Sequence, residues 1–71
     1  MNDKDGIRKL AKLLKEMGGD RATAFPILVL ADNLMIVDET IRYIKGNDEI
    51  DVNDVLAFVN KKIPDSAYED N

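Results

Sequence analysis

The 71-residue chain has no cysteine, no histidine and no tryptophan, and only two each of proline, phenylalanine and tyrosine. Without cysteine, no disulfide can brace the fold and no thiolate can attack a substrate. Without histidine as well, the usual nucleophile–base pairs and nearly every zinc site are excluded. The remaining hydroxyls, on Thr23, Thr40, Ser66, Tyr43 and Tyr68, have no such base to activate them. The adjacent acids Asp38 and Glu39 would point in different directions on a helix, so they make no shared-proton pair. The expectation is a protein without catalytic activity, cofactor or metal.

Long apolar runs are also missing. Ala24 to Val37 is the greasiest stretch, but Pro26, Asp32 and Asn33 interrupt it, and it is far too short to span a bilayer. The start, Met1 to Asp5, is acidic and is followed by no apolar run at signal-peptide spacing. A cytoplasmic protein with no membrane segment is expected.

What is present is an ordinary globular balance, 45% hydrophobic and 34% charged residues. That suits one small domain, which buries only roughly 60% of the surface its unfolded chain exposes. The formal charge is −4, unevenly shared. Residues 1–24 carry six cations against four acids, net +2; residues 25–71 carry four cations against ten acids, net −6.

Periodicity points to helices throughout. Ile7, Leu10, Ala11, Leu14 and Met17 form one apolar stripe, predicting a helix from Lys4 to Met17 that Gly18-Gly19 stops. Its other face is basic, with Arg8, Lys12 and Lys15 in one row and Lys9 beside them. Gly18 to Phe25 reads as a turn and loop, with Pro26 in the first turn of the next helix. That helix is expected to run unbroken from Pro26 to Lys45, roughly 30 Å, and to be the centre of the fold. Ile27, Leu30, Leu34, Val37, Ile41 and Ile44 give it a continuous stripe, and Val29, Ile36 and Tyr43 make another near the opposite side. The last helix has the clearest start: Asp51 as cap, Asp54 three residues on, and Ile50 and Val55 placed as a hydrophobic staple. Pro64 ends it. The expectation is an all-α, three-helix domain over residues 1–63 with a long central helix, followed by a mobile acidic tail, 64–71.

Two motifs dissolve on inspection. Asp48 to Asp54 is acidic enough for a calcium loop, but the sixth position holds Asn53 rather than glycine and the twelfth holds Val59 rather than glutamate. Capping explains its acids. Gly18-Gly19-Asp20-Arg21 follows a helix and lacks the Lys-Ser/Thr of a phosphate loop, so it reads as a turn.

Ile50 to Val59 resembles the second loop and last helix of histone-fold subunits, where an Ile-Asp-x-x-Asp-Val pattern leads into a short helix. Lys15-Glu16-Met17-Gly18 resembles the way the first helix ends in some of them. The resemblance is local and does not assign the chain to that family. It would imply a handshake dimer associated with DNA.

Two surfaces are candidates for function. The basic face Arg8, Lys9, Lys12 and Lys15 suits an acidic protein patch or, as the alternative, nucleic-acid phosphates. The apolar set Val29, Ile36 and Tyr43 suits contact with another chain, because two flanking helices cannot cover a long central helix on every side. The reading is a small interaction module, a regulator, inhibitor or adaptor, that binds a protein partner and self-associates; a small DNA-associated protein is the alternative.

Overall fold

The computed structural model describes residues 3–64. Among them are four α-helices: α1 (Asp3–Glu16), α2 (Arg21–Asn33), α3 (Val37–Lys45) and α4 (Val52–Lys61). The all-α class is as expected; the three-helix layout is not. The single helix expected from Pro26 to Lys45 is two helices, separated at Leu34, Met35 and Ile36. The stretch expected as loop before it, Arg21 to Phe25, is already helical. The expected tail lies outside the described residues from position 65 onward.

Each boundary has a local cause. Gly18 takes the left-handed backbone, φ 88°, and closes α1. Its N–H donates to the Lys15 carbonyl at 3.0 Å and that of Gly19 donates to the Leu14 carbonyl at 3.0 Å, the paired bonds of a Schellman end. The chain then turns directly into α2, because the Asp20 carboxylate accepts the backbone N–H of Thr23 at 2.9 Å. Pro26 therefore sits as the sixth residue of α2, not in its first turn. The N–H it lacks would have served the Ala22 carbonyl.

The break after α2 is a second Schellman end. Met35 adopts φ 60° and its N–H donates to the Asp32 carbonyl at 3.1 Å, while the Ile36 N–H donates to the Ala31 carbonyl at 2.9 Å. No side chain caps the start of α3. Its polarity compensates, with Asp38 and Glu39 in the first turn and Arg42 and Lys45 in the last, each sign matching the helix dipole. Beyond α3, Asn47 donates to the Tyr43 carbonyl at 2.8 Å. At α4 the expected capping box is complete: Asp54 N–H donates to the Asp51 carboxylate and Asp51 N–H to the Asp54 carboxylate, both at 3.0 Å.

The four helices share one core. α1 packs on α2 and α3, and α4 packs on the same two. Leu10 and Leu14, Ile27 and Ala31, Ile41 and Ile44, and Val52, Val55 and Val59 are buried between them. Among the described residues Thr40 is the buried polar one, and its hydroxyl donates to the Ile36 carbonyl at 2.8 Å. Leu34 and Val37, expected at the middle of a buried stripe, lie at the break and are half-buried. Tyr43 and Phe58 tie α3 to α4, their rings stacked with centroids 4.2 Å apart. Lys62 lies 5.1 Å from the Phe58 centroid and pairs with Glu39 at 2.6 Å. None of the described helices is long and apolar enough to cross a membrane.

Candidate functional site

The basic face is laid out as expected. Arg8, Lys9, Lys12 and Lys15 are all exposed on α1, and none of them forms an ion pair with another described residue. Arg8 stands with Lys4 and Ile7 around an open hollow whose far wall is Asp32, at the end of α2. The start of α1 therefore lies beside the end of α2, and the two helices run antiparallel from the Gly18–Gly19 turn. Their long side chains can keep their charges in water while the stems cover apolar surface beneath.

The apolar set fares differently. Val29, Ile36 and Tyr43 share a stripe only if one helix carries all three, and the break at Met35 ends that condition. Val29 belongs to α2 and is 39% exposed. Ile36 lies in the joint, half-buried and packed against the core. Tyr43 belongs to α3 and is half-buried under its stack with Phe58. Of the three, Val29 is the one on open surface.

The larger exposed apolar groups lie outside that set: Phe25 at 65% and Met35 at 88% exposure. Phe25 was expected at the end of the loop that precedes Pro26. In the structure it occupies the second turn of α2, one turn before Val29. The inner side of α2 buries Ile27 and Ala31, and the outer side exposes Ala22, Phe25, Pro26 and Val29. No charge interrupts the helix between Arg21 and Asp32. That uncharged decade was the available signal: it is longer and more apolar than one buried face requires.

A second hollow lies where the starts of α2 and α4 meet, lined by Met17 to Asp20, Thr23 and Asp51 to Asn53. Both carboxylates there are engaged in capping. The Thr23 N–H holds the Asp20 carboxyl below the usual carboxylate range. Among the described residues, no three acids gather closely enough to hold a metal ion. The hydroxyl of Thr40 is sealed in the core against a backbone carbonyl, where it can reach no substrate. No protein-family model, curated protein or solved structure matches the chain.

Proposed function

We propose that the chain is a small cytoplasmic, non-catalytic interaction module, a regulator, inhibitor or adaptor that binds protein through the outer face of α2. The observation that carries this reading is the exposure of Phe25 beside Val29 on a helix that is uncharged for ten residues. An exposed phenylalanine is an unusual burden for so small a domain. Moving such a side chain fully out of water is worth about 1.5–3 kcal/mol, and aromatic residues, phenylalanine included, are enriched at the cores of protein interfaces.

The second reading, phosphate binding by a small DNA-associated protein, is favoured by the open row of Arg8, Lys9, Lys12 and Lys15 on α1. The histone-like arrangement loses its support, because it needs the long central helix that the turn at Met35 divides. The net charge of −4 also opposes approach to a polyanion.

One pair of assays separates the two. The immobilised chain and its Phe25→Asp variant are compared for the proteins each retains, and labelled duplex DNA is titrated at low and high salt. A protein retained by the parent and lost from the variant supports the module. Identical retention by both, with DNA affinity that falls steeply with salt and disappears in Lys12→Glu/Lys15→Glu, overturns it.

A further inference from the structure

The outer row of α2 is a sequence that complements its own reverse. Arg21, Phe25, Val29 and Asp32 are spaced four, four and three residues apart, which at 100° per residue confines them to an arc of about 80°. All four are exposed. Read along the helix, the row runs cation, aromatic, aliphatic, anion. Turned end for end, it presents an anion where the cation was, with the apolar pair still in the middle.

We propose that this row is the seam of a two-fold homodimer, in which α2 packs antiparallel against α2 of a second copy. The proposal rests on the reading of this face as a protein-contact surface and names its occupant. With the axis passing midway between Phe25 and Val29, Phe25 lies opposite the partner's Val29. Asp32 then falls within one residue step, about 1.5 Å, of the partner's Arg21. Each ion pair forms twice, once on either side of the axis.

Three features favour a second copy in this orientation. At a two-fold axis each residue meets itself or a near neighbour, so any charge there would repel its own image. α2 has none from Ala22 to Ala31. The surroundings of the two ends are also opposite in sign. Asp20 and Asp51 stand at the start of α2, and Lys4 and Arg8 stand beside its end. In the antiparallel arrangement the acids flanking the start of one α2 face the cations flanking the end of the other, beside each Arg21–Asp32 pair; a parallel one would set like against like. Finally, two-fold self-contact is the commonest oligomer symmetry and needs only one self-complementary patch. The seam is one helix of about 20 Å. A contact confined to one row of so short a helix is smaller than a standard interface, which buries roughly 800 Å² per partner, and the expected association is micromolar rather than nanomolar.

Sedimentation equilibrium of the full chain, from low to hundreds of micromolar, tests the proposal. The expected result is a rise from the monomer mass to twice that mass, abolished in Phe25→Asp with helicity and melting temperature at low concentration unchanged. Charge reversal then tests orientation. Arg21→Glu and Asp32→Arg should each weaken self-association several-fold, whereas an equimolar mixture of the two should associate more tightly than either alone. The double variant should associate as the parent does. A parent that stays monomeric throughout, a dimer indifferent to Phe25→Asp, or a mixture no tighter than its components overturns the proposal. A monomer that still needs Phe25 to retain a foreign protein overturns the dimer and leaves the contact-surface reading standing. A monomer in which Phe25 affects neither ends both.

Discussion

α1 and α2 end in the same pair of backbone hydrogen bonds, yet different residues hold the two turns. At the end of α1 the left-handed position is Gly18, and the residue after it, Gly19, offers no side chain to pack. At the end of α2 the left-handed position is Met35, and the residue after it is Ile36, which packs against the core. The first turn relies on backbone freedom. The second carries a conformational cost of about 1–2 kcal/mol at Met35 and offsets it with the apolar contact that commonly accompanies this motif, Ile36 beside the buried Ala31. A helix can thus be ended by a residue that permits the turn, or by a residue whose burial demands it.

Gly19 shows why the first turn could not adopt the second solution. A β-carbon there would come within 2.7 Å of Val52 Cγ2 and 3.0 Å of the Leu14 carbonyl oxygen. The turn after α1 passes directly over the first residue of α4, and no side chain fits between them. At Gly18 a β-carbon would meet nothing within 4 Å, so that position is constrained by its backbone angle alone.

Leu14, whose carbonyl accepts the Gly19 N–H in the first turn, is fully buried, so Leu14→Ala should cost about 2–5 kcal/mol in chemical denaturation. Leu34, at the second turn and half-buried, should cost only about 1 kcal/mol. Equal losses would mean that the two turns are equally embedded in the core. Gly19→Ala should cost about 1–3 kcal/mol through the clash with Val52, and Val52→Ala should recover part of it in a double-mutant cycle.

The sharpest test is one of sign. Gly18→Ala should destabilise by about 1 kcal/mol, whereas Met35→Gly should stabilise by about 0.5–1 kcal/mol. Thermal melts of the two variants decide this, and a loss of stability in Met35→Gly would show that its side chain contributes more than the strained backbone costs. The smallest expected effect concerns Asp20, which follows the first turn. Its folded carboxyl titrates below its unfolded range, so its contribution is complete above the unfolded value and disappears as pH falls through the folded one. Asn caps nearly as well but does not titrate. The melting temperature of the parent should therefore fall more on acidification than that of Asp20→Asn.

The same contrast explains what could be read from the residues beforehand. α1 and α4 were legible to within a residue or two, because Gly18, Asp51, Asp54 and Pro64 are residues whose own chemistry marks a boundary. The joint at Leu34 to Ile36 was not, because a methionine in a left-handed turn carries no such mark. The apolar spacing through Leu30, Leu34, Val37 and Ile41 also continues across it without a fault. Periodicity describes which residues could share a face; it does not reveal that the chain has turned between them. The start of α2 could have been found, since Asp20 followed by Thr23 suits a cap, but Pro26 pulled the expected boundary five residues late. The basic face of α1 was legible because it lies on one helix with correct ends. The stripe of Val29, Ile36 and Tyr43 was an inference from a helix that does not exist as one piece.

Pro26 has a consequence that the folded molecule alone does not disclose. The run from Ala22 to Ala31 holds no charge and includes Ile27, Leu28, Val29 and Leu30 in succession. Such a segment, when the chain is open, is the kind that stacks into cross-β aggregates unless a gatekeeper interrupts it. The proline is the one residue in the run that does so, since it cannot donate to a growing β-ladder. It withholds a hydrogen bond from α2 and in return keeps the unfolded chain from templating itself. Pro26→Ala should accordingly melt at a higher temperature yet turn turbid sooner once melted, and light scattering recorded alongside the melt would show both.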